Sequence, residues 1–499
     1  MIDDDHTLTS PLSAVAQRSP ALLGLTIVWH PDMQRVGEQT IVADPREEVQ
    51  LARFLPLFAR PGQPGTPLGY GGISRDPVRI RVGSDGSVLV TPPASRMVVE
   101  LNGAEITAPV RLARVQVDAG AILGLGRAVL VCLHRVTQLP RANPVPDMLG
   151  VGSAAIRIRD LVRQAASTDA PVLLLGETGT GKEIAARAIH ELSGRAGQPM
   201  VSVNMAALSE SLAAADLFGA AKGAYTGAQA ARDGLFAEAE GGTLFLDEIG
   251  NTPATIQPML LRVLETGDYR PLGSSRDQRA NVRLVAATDQ DLYGPSFNQP
   301  LLRRLESFVI ELPPLRARRE DIGVLLVALL AGQALPGEEL VLPPAFVSEL
   351  ANYEWPGNIR QLAHLVNRAV LALRHGETPS LAALVPARNA PSGSAESDAD
   401  AAAPARRKLA ELAPDEILTA MERNGWEIQG AAKLLGISRP SLYKLLESHP
   451  QIRRPERIGG DELLAAFDAS GGDIGRCASI LRTPGEALRR HLRALGVLT

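Results

Sequence analysis

Cysteine is almost absent from this chain: its 499 residues include two, Cys132 and Cys477. They lie far apart and match no metal-ligand spacing. That excludes a disulfide framework and a cysteine-bound zinc module, and it suits a reducing compartment. Charge of one sign is not in excess either. The formal net charge is -4, so the whole chain carries no nucleic-acid signature and any DNA contact must be local. Long apolar runs are missing. The longest, residues 322–332, is too short to cross a bilayer and suits a core helix. The opening MIDDDHTLTS is acidic and lacks the basic-then-apolar order of a signal peptide. The expectation is a cytoplasmic protein without membrane contact.

What is present is ordinary globular composition, 45% hydrophobic and 21% charged, at a length that calls for roughly three or four domains. Residues 20–138 contain short β-type runs separated by Gly and Pro: VRIRV (78–82), SVLV (87–90), MVVEL (97–101) and AVLVCL (128–133). Strands at that spacing predict a small sandwich or barrel. Across residues 148–314, apolar strands such as PVLLLG (171–176), GTLFLDE (242–248) and VRLVAAT (282–288) alternate with helical patterns, which predicts an α/β parallel sheet. A helical lid is expected over 315–386. Residues 387–409, rich in Ala, Ser, Pro and Asp, read as a flexible linker.

The C-terminal segment repeats itself. Residues 415–447 align without gaps on 461–493, so that Gly425, Ile428, Ala432, Leu435, Leu442 and Leu446 recur as Gly471, Ile474, Ala478, Leu481, Leu488 and Leu492. Two helical units, 410–450 and 456–499, are expected to share one fold. The fold class is therefore multidomain: a β-sandwich, a central α/β unit with a helical lid, and an all-α repeat.

GETGTGKE follows a buried strand and opens a helical pattern, the setting a phosphate-binding loop requires. Its glycines let backbone N–H groups wrap phosphates, and Lys182 reaches the β- and γ-phosphates of ATP. Gly176, Glu177, Thr178, Gly179, Thr180, Gly181, Lys182 and Glu183 are the candidate nucleotide ligands. Glu183 stands where the strict pattern has Ser or Thr, so Mg²⁺ must be held partly by other groups. Asp247 and Glu248 end the strand GTLFL. There Asp247 suits a metal and Glu248 suits activation of water.

From these residues the region 148–385 resembles the AAA+ domain of bacterial enhancer-binding proteins, the activators of sigma-54 RNA polymerase. GETGTGKE, VSVNMAAL, DLFGAAKGAYTGA, GGTLFLDEIG, VRLVAATDQDL, LPPLRARREDI and WPGNIRQL occur in the family's order. The resemblance implies roles. Asn204 would sense γ-phosphate and restrain Glu248; Thr288, followed by Asp289 where the family more often has Asn, would be a sensor; Arg360 would contact nucleotide from the lid. Gly223, Ala224, Tyr225, Thr226, Gly227 and Ala228 match the loop that engages sigma-54, with Tyr225 in place of the usual Phe. The family supplies two arginines in trans to a neighbour's nucleotide. Arg304 matches one, Asn298 occupies the other position, and Pro300 interrupts a usually helical stretch.

The first C-terminal unit resembles a Fis-type helix-turn-helix. Ser438, Arg439, Ser441, Tyr443 and Lys444 are candidates for the groove and phosphates of duplex DNA. In the second unit Arg482 replaces the turn glycine Gly436, and DNA reading and dimerisation stay open. The N-terminal unit resembles a forkhead-associated (FHA) sandwich. Ser74, Arg75 and Asn102 would meet phosphothreonine, and Glu38 stands where that family's first arginine is expected. The resemblances imply a DNA-bound, ring-forming ATPase that activates sigma-54 polymerase under control of a phosphoprotein. The alternative is a DNA-bound signalling adaptor with little or no hydrolysis.

Overall fold

Arg79 and Arg81 are exposed while Val78 and Ile80, which alternate with them, are fully buried. That alternation is what a strand with one wet face requires, and it repeats through the N-terminal region. The computed structural model describes residues 22–44, 46–224, 230–294, 296–336, 338, 340–385, 414–426, 428–435, 442, 445–446, 451–453, 458–470 and 473–494. They form two compact units, the first ending near Pro391 and the second beginning near Ser392.

In the first unit, ten strands make a sandwich. They are β1 (Leu22–Trp29), β2 (Gln39–Val42), β3 (Val49–Leu51), β4 (Val78–Val82), β5 (Val88–Thr91), β6 (Val99–Leu101), β7 (Ala104–Glu105), β8 (Val110–Leu112), β9 (Ala121–Leu125) and β10 (Val129–Val136). One sheet has the order β2-β1-β10-β9-β6-β7 and the other β3-β4-β5-β8. Leu25, Ile27, Leu51, Phe58, Ile80, Val131 and Leu133 lie in the core between them. Strand β10 is buried on both faces. Val129, Val131 and Leu133 enter the sandwich core, while Leu130 and Cys132 enter a second core with lid residues.

The central sheet runs β12-β13-β16-β11-β17, from β11 (Val172–Leu175), β12 (Met200–Asn204), β13 (Thr243–Asp247), β16 (Arg283–Thr288) and β17 (Phe308–Glu311). A separate small hairpin pairs β14 (Asp268–Tyr269) with β15 (Gln278–Arg279). Every pair in the five-stranded sheet is parallel. Leu244 and Leu246 face one helical layer and Phe245 the other, so each strand reads as a short continuous apolar run.

The apolar run 322–332 forms the helix Ile322–Gln333, the first of the lid. A helix apolar on all sides needs burial on all sides, and here it is packed between two partners. Ile322 and Leu326 join lid residues Phe346 and Leu350, and the same cluster contains Val28, Trp29, Ile122 and Leu130 of the sandwich. Gly323 permits the closest approach: a Cβ there would stand 2.0 Å from the Val28 carbonyl oxygen. The sandwich is thus docked on the lid.

A buried polar seam crosses this contact. Gln39 Nε2 donates to Thr26 Oγ1 (2.9 Å), which meets His134 Nε2 (2.7 Å). His134 Nδ1 faces Glu320 at 4.0 Å. Asp321 accepts from the N–H groups of Val151 and Gly152 (2.7 and 2.8 Å). Burial, reinforced by Asp321, pushes the Glu320 carboxyl up to about 8, and burial lowers His134 to about 4. Unfolded Glu320 ionises near 4.5, so its contribution to stability is lost as pH rises toward about 8. His134 acts in the opposite sense, losing stability as pH falls from 6.5 toward about 4. Above pH 6.5 the buried carboxyls set the trend, since burial raises Asp321 as well as Glu320. We therefore expect the thermal midpoint of this unit to fall between about pH 6.5 and 8, and Glu320→Gln to reduce that fall.

Among the described residues, the second unit contains the helices Pro414–Arg423, Ile428–Leu435, Gly460–Ala469, Ile474–Leu481 and Gly485–Ala494. Both repeats contribute to one core: Ala432, Leu435, Leu442 and Leu446 cluster with their counterparts Ala478, Leu481, Leu488 and Leu492. The turn after Ile474–Leu481 is left-handed at Arg482 (φ 49°, ψ 54°). A side chain tolerates that conformation at a cost of about 1 kcal/mol. Residues 387–409, expected as a linker, lie outside the described residues.

Candidate nucleotide site and its surroundings

Strand β11 runs into the glycine-rich loop, which ends at the helix Lys182–Glu191. Gly176, Gly179 and Gly181 all have positive φ (154°, 82° and 104°), backbone that side chains disfavour. Gly181 caps the helix without a side-chain hydrogen bond, and a Cβ there would meet nothing within 4 Å. The helix N-terminus therefore opens onto free space with unsatisfied N–H groups. Lys182 is buried beside it, its Nζ donating to the carbonyls of Gly176 (2.6 Å) and Glu177 (3.3 Å). Thr180 Oγ1 donates to Glu177 O (2.8 Å). Glu183 is exposed and pairs with Arg187 at 3.5 Å, one turn along the helix.

The lid holds this loop through contacts that its sequence motifs do not announce. Arg316 donates two hydrogen bonds to the Glu177 carboxylate (2.8 and 2.5 Å). Asn358 Nδ2 reaches Glu177 Oε2 and Thr178 O, both at 3.1 Å, and Arg318 donates to Thr180 O at 3.1 Å. The Arg316 hydrogen bonds, aided by Asn358, hold the Glu177 carboxyl down at about 2. Arg360 stands exposed over the loop, its Cβ 3.1 Å from where a Cβ on Gly179 would be.

Asp247 and Glu248 emerge at the C-terminal end of β13, beside Asn204 at the end of β12; Asn204 pairs with Asp247 in the register. Asp247 Oδ1 accepts from the Glu248 N–H (3.0 Å), and Glu248 itself is left-handed (φ 54°). Asn204 Oδ1 accepts from Ala206 N–H (2.9 Å). Among the described residues, the expected contact between Asn204 and Glu248 is not made. Asp289 faces Glu248 instead. Its Oδ2 accepts from Thr178 Oγ1 (2.7 Å), which ties it to the loop. Burial raises the Glu248 carboxyl, Asp289 and Asp247 add to the rise, and Lys182 opposes it. Thr288 is fully buried, and its carbonyl accepts from Gly176 N–H (3.2 Å).

Pro300 does not interrupt a helix. It lies in the first turn of the helix Gln299–Leu305, where its missing N–H is no loss. Asn298 caps that helix, its side chain accepting from Leu301 N–H (3.0 Å). The residue that replaces the expected arginine is thus a helix cap. Arg304 is exposed and pairs with Glu265 at 3.3 Å; Arg303 pairs with Glu306 at the same distance.

Gly223 and Ala224 are described, whereas Tyr225, Thr226, Gly227 and Ala228 lie outside the described residues. The stem below them is anchored twice. Ala220 bridges Arg232 and Leu272, and Asp216 pairs with Arg232 at 3.0 Å. The second anchor belongs to the segment between β14 and β15, where a Cβ on Gly273 would touch Ala224 at 2.7 Å. Sequence reasoning did not connect these two segments.

Ser74 and Asn102, both expected to meet phosphothreonine, make contacts within the sandwich. Ser74 N–H donates to Met97 Sδ (3.1 Å), just before β6. Asn102 follows the C-terminal end of β6. Its Oδ1 accepts from Ile122 N–H (2.9 Å), and its own N–H donates to Ile122 O (2.7 Å). Asn102 therefore joins β6 to β9. Glu38 pairs with Arg35 at 2.6 Å, and the arginine that accompanies Ser74 and Arg75 is Arg53, donating to Ile73 O at 2.8 Å.

In the C-terminal unit, Ser438, Arg439, Ser441, Tyr443 and Lys444 lie outside the described residues, whereas Leu442 and Leu446 are buried in its core. No helix among the described residues is long and apolar enough to cross a membrane.

The chain matches the Sigma-54 interaction domain over residues 148–311, the AAA+ ATPase lid domain over 316–401 and the Fis family of bacterial regulatory proteins over 408–447. Transcriptional regulatory protein ZraR of Klebsiella oxytoca is 41% identical over 322 residues, 62% of this chain and 70% of that protein. Nitric oxide reductase transcription regulator NorR2 of Cupriavidus necator is 43% identical over 260 residues, 48% of this chain and 49% of that one. A crystal structure of NtrX from Brucella abortus in complex with ATP is 26% identical, covers 71% of each chain and has a TM-score of 0.44. The chain belongs to the family of sigma-54-dependent transcriptional activators, with an AAA+ lid and a Fis-type DNA-binding domain.

Proposed function

We propose that this chain binds ATP, assembles into a ring, and uses hydrolysis to press the loop from Gly223 to Ala228 against sigma-54 RNA polymerase while its C-terminal unit holds upstream DNA. The observation that carries the reading is the meeting of Lys182, Asp247, Glu248 and Asp289 beside an uncapped helix N-terminus with open space before it. That cradle fits the phosphates of a nucleotide: three loop glycines expose N–H groups, and the Lys182 ammonium supplies countercharge. A bound nucleotide supplies the phosphoanhydride whose hydrolysis drives remodelling.

The chain's own groups then divide the work. Lys182 would leave its loop carbonyls for phosphate oxygens, and Asp247 would hold Mg²⁺. Glu248 would accept a proton from the attacking water, and its raised carboxyl makes it the better base of the adjacent pair. Arg360 would reach nucleotide from the lid, and Arg304 would leave Glu265 to serve a neighbouring subunit. The sandwich would gate the ATPase through its docked lid face.

Removing residues 223–228 tests the loop assignment. The variant is expected to keep ATP hydrolysis within about threefold, because the loop stem lies outside the cradle, and to lose binding to sigma-54. Retained sigma-54 binding would sink the assignment. The adaptor reading is favoured by one observation, Asn298 acting as a helix cap where a second trans arginine is expected. Hydrolysis measured across protein concentration separates the two readings: a rate that rises on assembly supports the motor, and negligible turnover at every concentration supports the adaptor.

A further inference from the structure

The Fis-family match ends at residue 447, and the second repeat beyond it has no part in the function proposed so far. We infer that this repeat is a second DNA-reading element, so that one chain presents two helix-turn-helix faces to duplex DNA. The inference rests on the reading that the C-terminal unit binds DNA at all.

Three observations lead there. The first is the turn. The helices Ile474–Leu481 and Gly485–Ala494 are joined through Arg482 in the left-handed conformation, with its N–H donating to Ala478 O. Substitution of the turn glycine has therefore not removed the turn that joins the two helices.

The second is the distribution of charge. From residue 474 to 494 the sequence carries Arg476, Arg482, Arg489, Arg490 and Arg493 against the single acid Glu486, while Asp461, Glu462, Asp468 and Asp473 sit in the stretch before it. The first repeat divides its charge in the same way. Asp415, Glu416, Glu422 and Glu427, with Arg423 among them, precede Lys433, Arg439 and Lys444, which Glu447 follows. Moreover, Tyr443 and Lys444, both candidate DNA contacts, recur in alignment as Arg489 and Arg490.

The third is exposure. Arg476, Arg482 and Arg489 are exposed, and among the described residues none of the three is paired with a carboxylate. Leu488 and Leu492, on the same helix as Arg489, are buried in the core shared with the first repeat. The apolar face of this last helix is therefore already covered inside the chain, and Arg489 lies on the face left to solvent. The exposed guanidinium of Arg489, on the solvent face of a second helix, suits the phosphates and guanine edges of DNA.

The test uses the full chain and a fluorescein-labelled duplex of about 40 base pairs, titrated from about 50 to 200 mM salt. The double variant Arg489→Ala with Arg490→Ala is expected to bind about tenfold more weakly and to lower the salt slope by about 2, one for each lost phosphate contact. Arg489→Lys with Arg490→Lys should keep the slope, which guards against a folding defect. Unchanged affinity and slope in the alanine variant would overturn the inference. So would equal loss in both variants, or a change confined to the oligomeric state in sedimentation. Wild-type protein that binds no duplex would instead remove the DNA-binding reading beneath it.

Discussion

Glu248→Gln should lower the turnover number for ATP hydrolysis by about 10²- to 10⁴-fold and leave ATP affinity within about threefold. The argument rests on where the carboxylate stands. Glu248 follows the last residue of β13 in a left-handed conformation, which turns it out of the strand line and away from Asp247. Burial and two neighbouring carboxylates raise its proton affinity, and a base closer to the working pH takes a proton from water more readily. Glutamine keeps the shape and the hydrogen-bonding reach but cannot accept that proton. ATP affinity should survive because the loop glycines, Lys182 and Arg360 are untouched. Steady-state hydrolysis beside equilibrium binding of a fluorescent ATP analogue checks both halves. Turnover near the wild-type rate would mean that Asp289, which faces the same point, is the base.

Gly323→Val should destabilise the first unit by more than about 3 kcal/mol. In an exposed helix the loss of a glycine is a gain, since glycine is about 1 kcal/mol worse than alanine. Here the added Cβ would lie 2.0 Å from Val28 O, 2.7 Å from its carbonyl carbon and 2.8 Å from Val36 Cγ1. Two of those atoms are strand backbone that cannot rotate aside. The helix and the sandwich must separate, which exposes Val28, Trp29, Ile122 and Leu130 together with their lid partners. Gly332 lies in the same helix with nothing within 4 Å of its Cβ position. Gly332→Ala is therefore the control and should be neutral or stabilising by up to about 1 kcal/mol. Calorimetric unfolding of both variants settles the comparison. Equal midpoints would mean that sandwich and lid are not held together as described.

Elements built from contiguous residues were legible in the sequence. The phosphate loop and the strand ending in Asp247 each declare themselves within a dozen residues, because local geometry dictates glycine, lysine and carboxylate spacing there, whereas the loop beginning at Gly223 was read from a family resemblance and lies mostly outside the described residues. The run 322–332 also declared its burial, but not its partner. Apolar residues on every side say that a helix is covered and do not say by what. Contacts between distant segments were not legible. Arg316 and Asn358 meet Glu177 from 139 and 181 residues away, and no spacing rule links them. Asn102 looked like a ligand because the forkhead-associated family that the sandwich resembles uses an Asn to meet phosphothreonine. The structure uses its amide to hold Ile122 instead. Pro300 looked like a break because the resembling family is helical through that stretch, and only the cap at Asn298 reveals that this helix starts just before it.

Promoter melting is the most direct measurement of the central claim, that ATP hydrolysis here serves sigma-54 polymerase. Purified full-length chain, sigma-54 holoenzyme and a sigma-54 promoter are combined with ATP, and strand opening is followed by permanganate reactivity. The account predicts opening that requires ATP, disappears in Glu248→Gln and disappears when residues 223–228 are removed. Opening that persists without the loop, or no opening by the wild-type chain at any concentration, would contradict it.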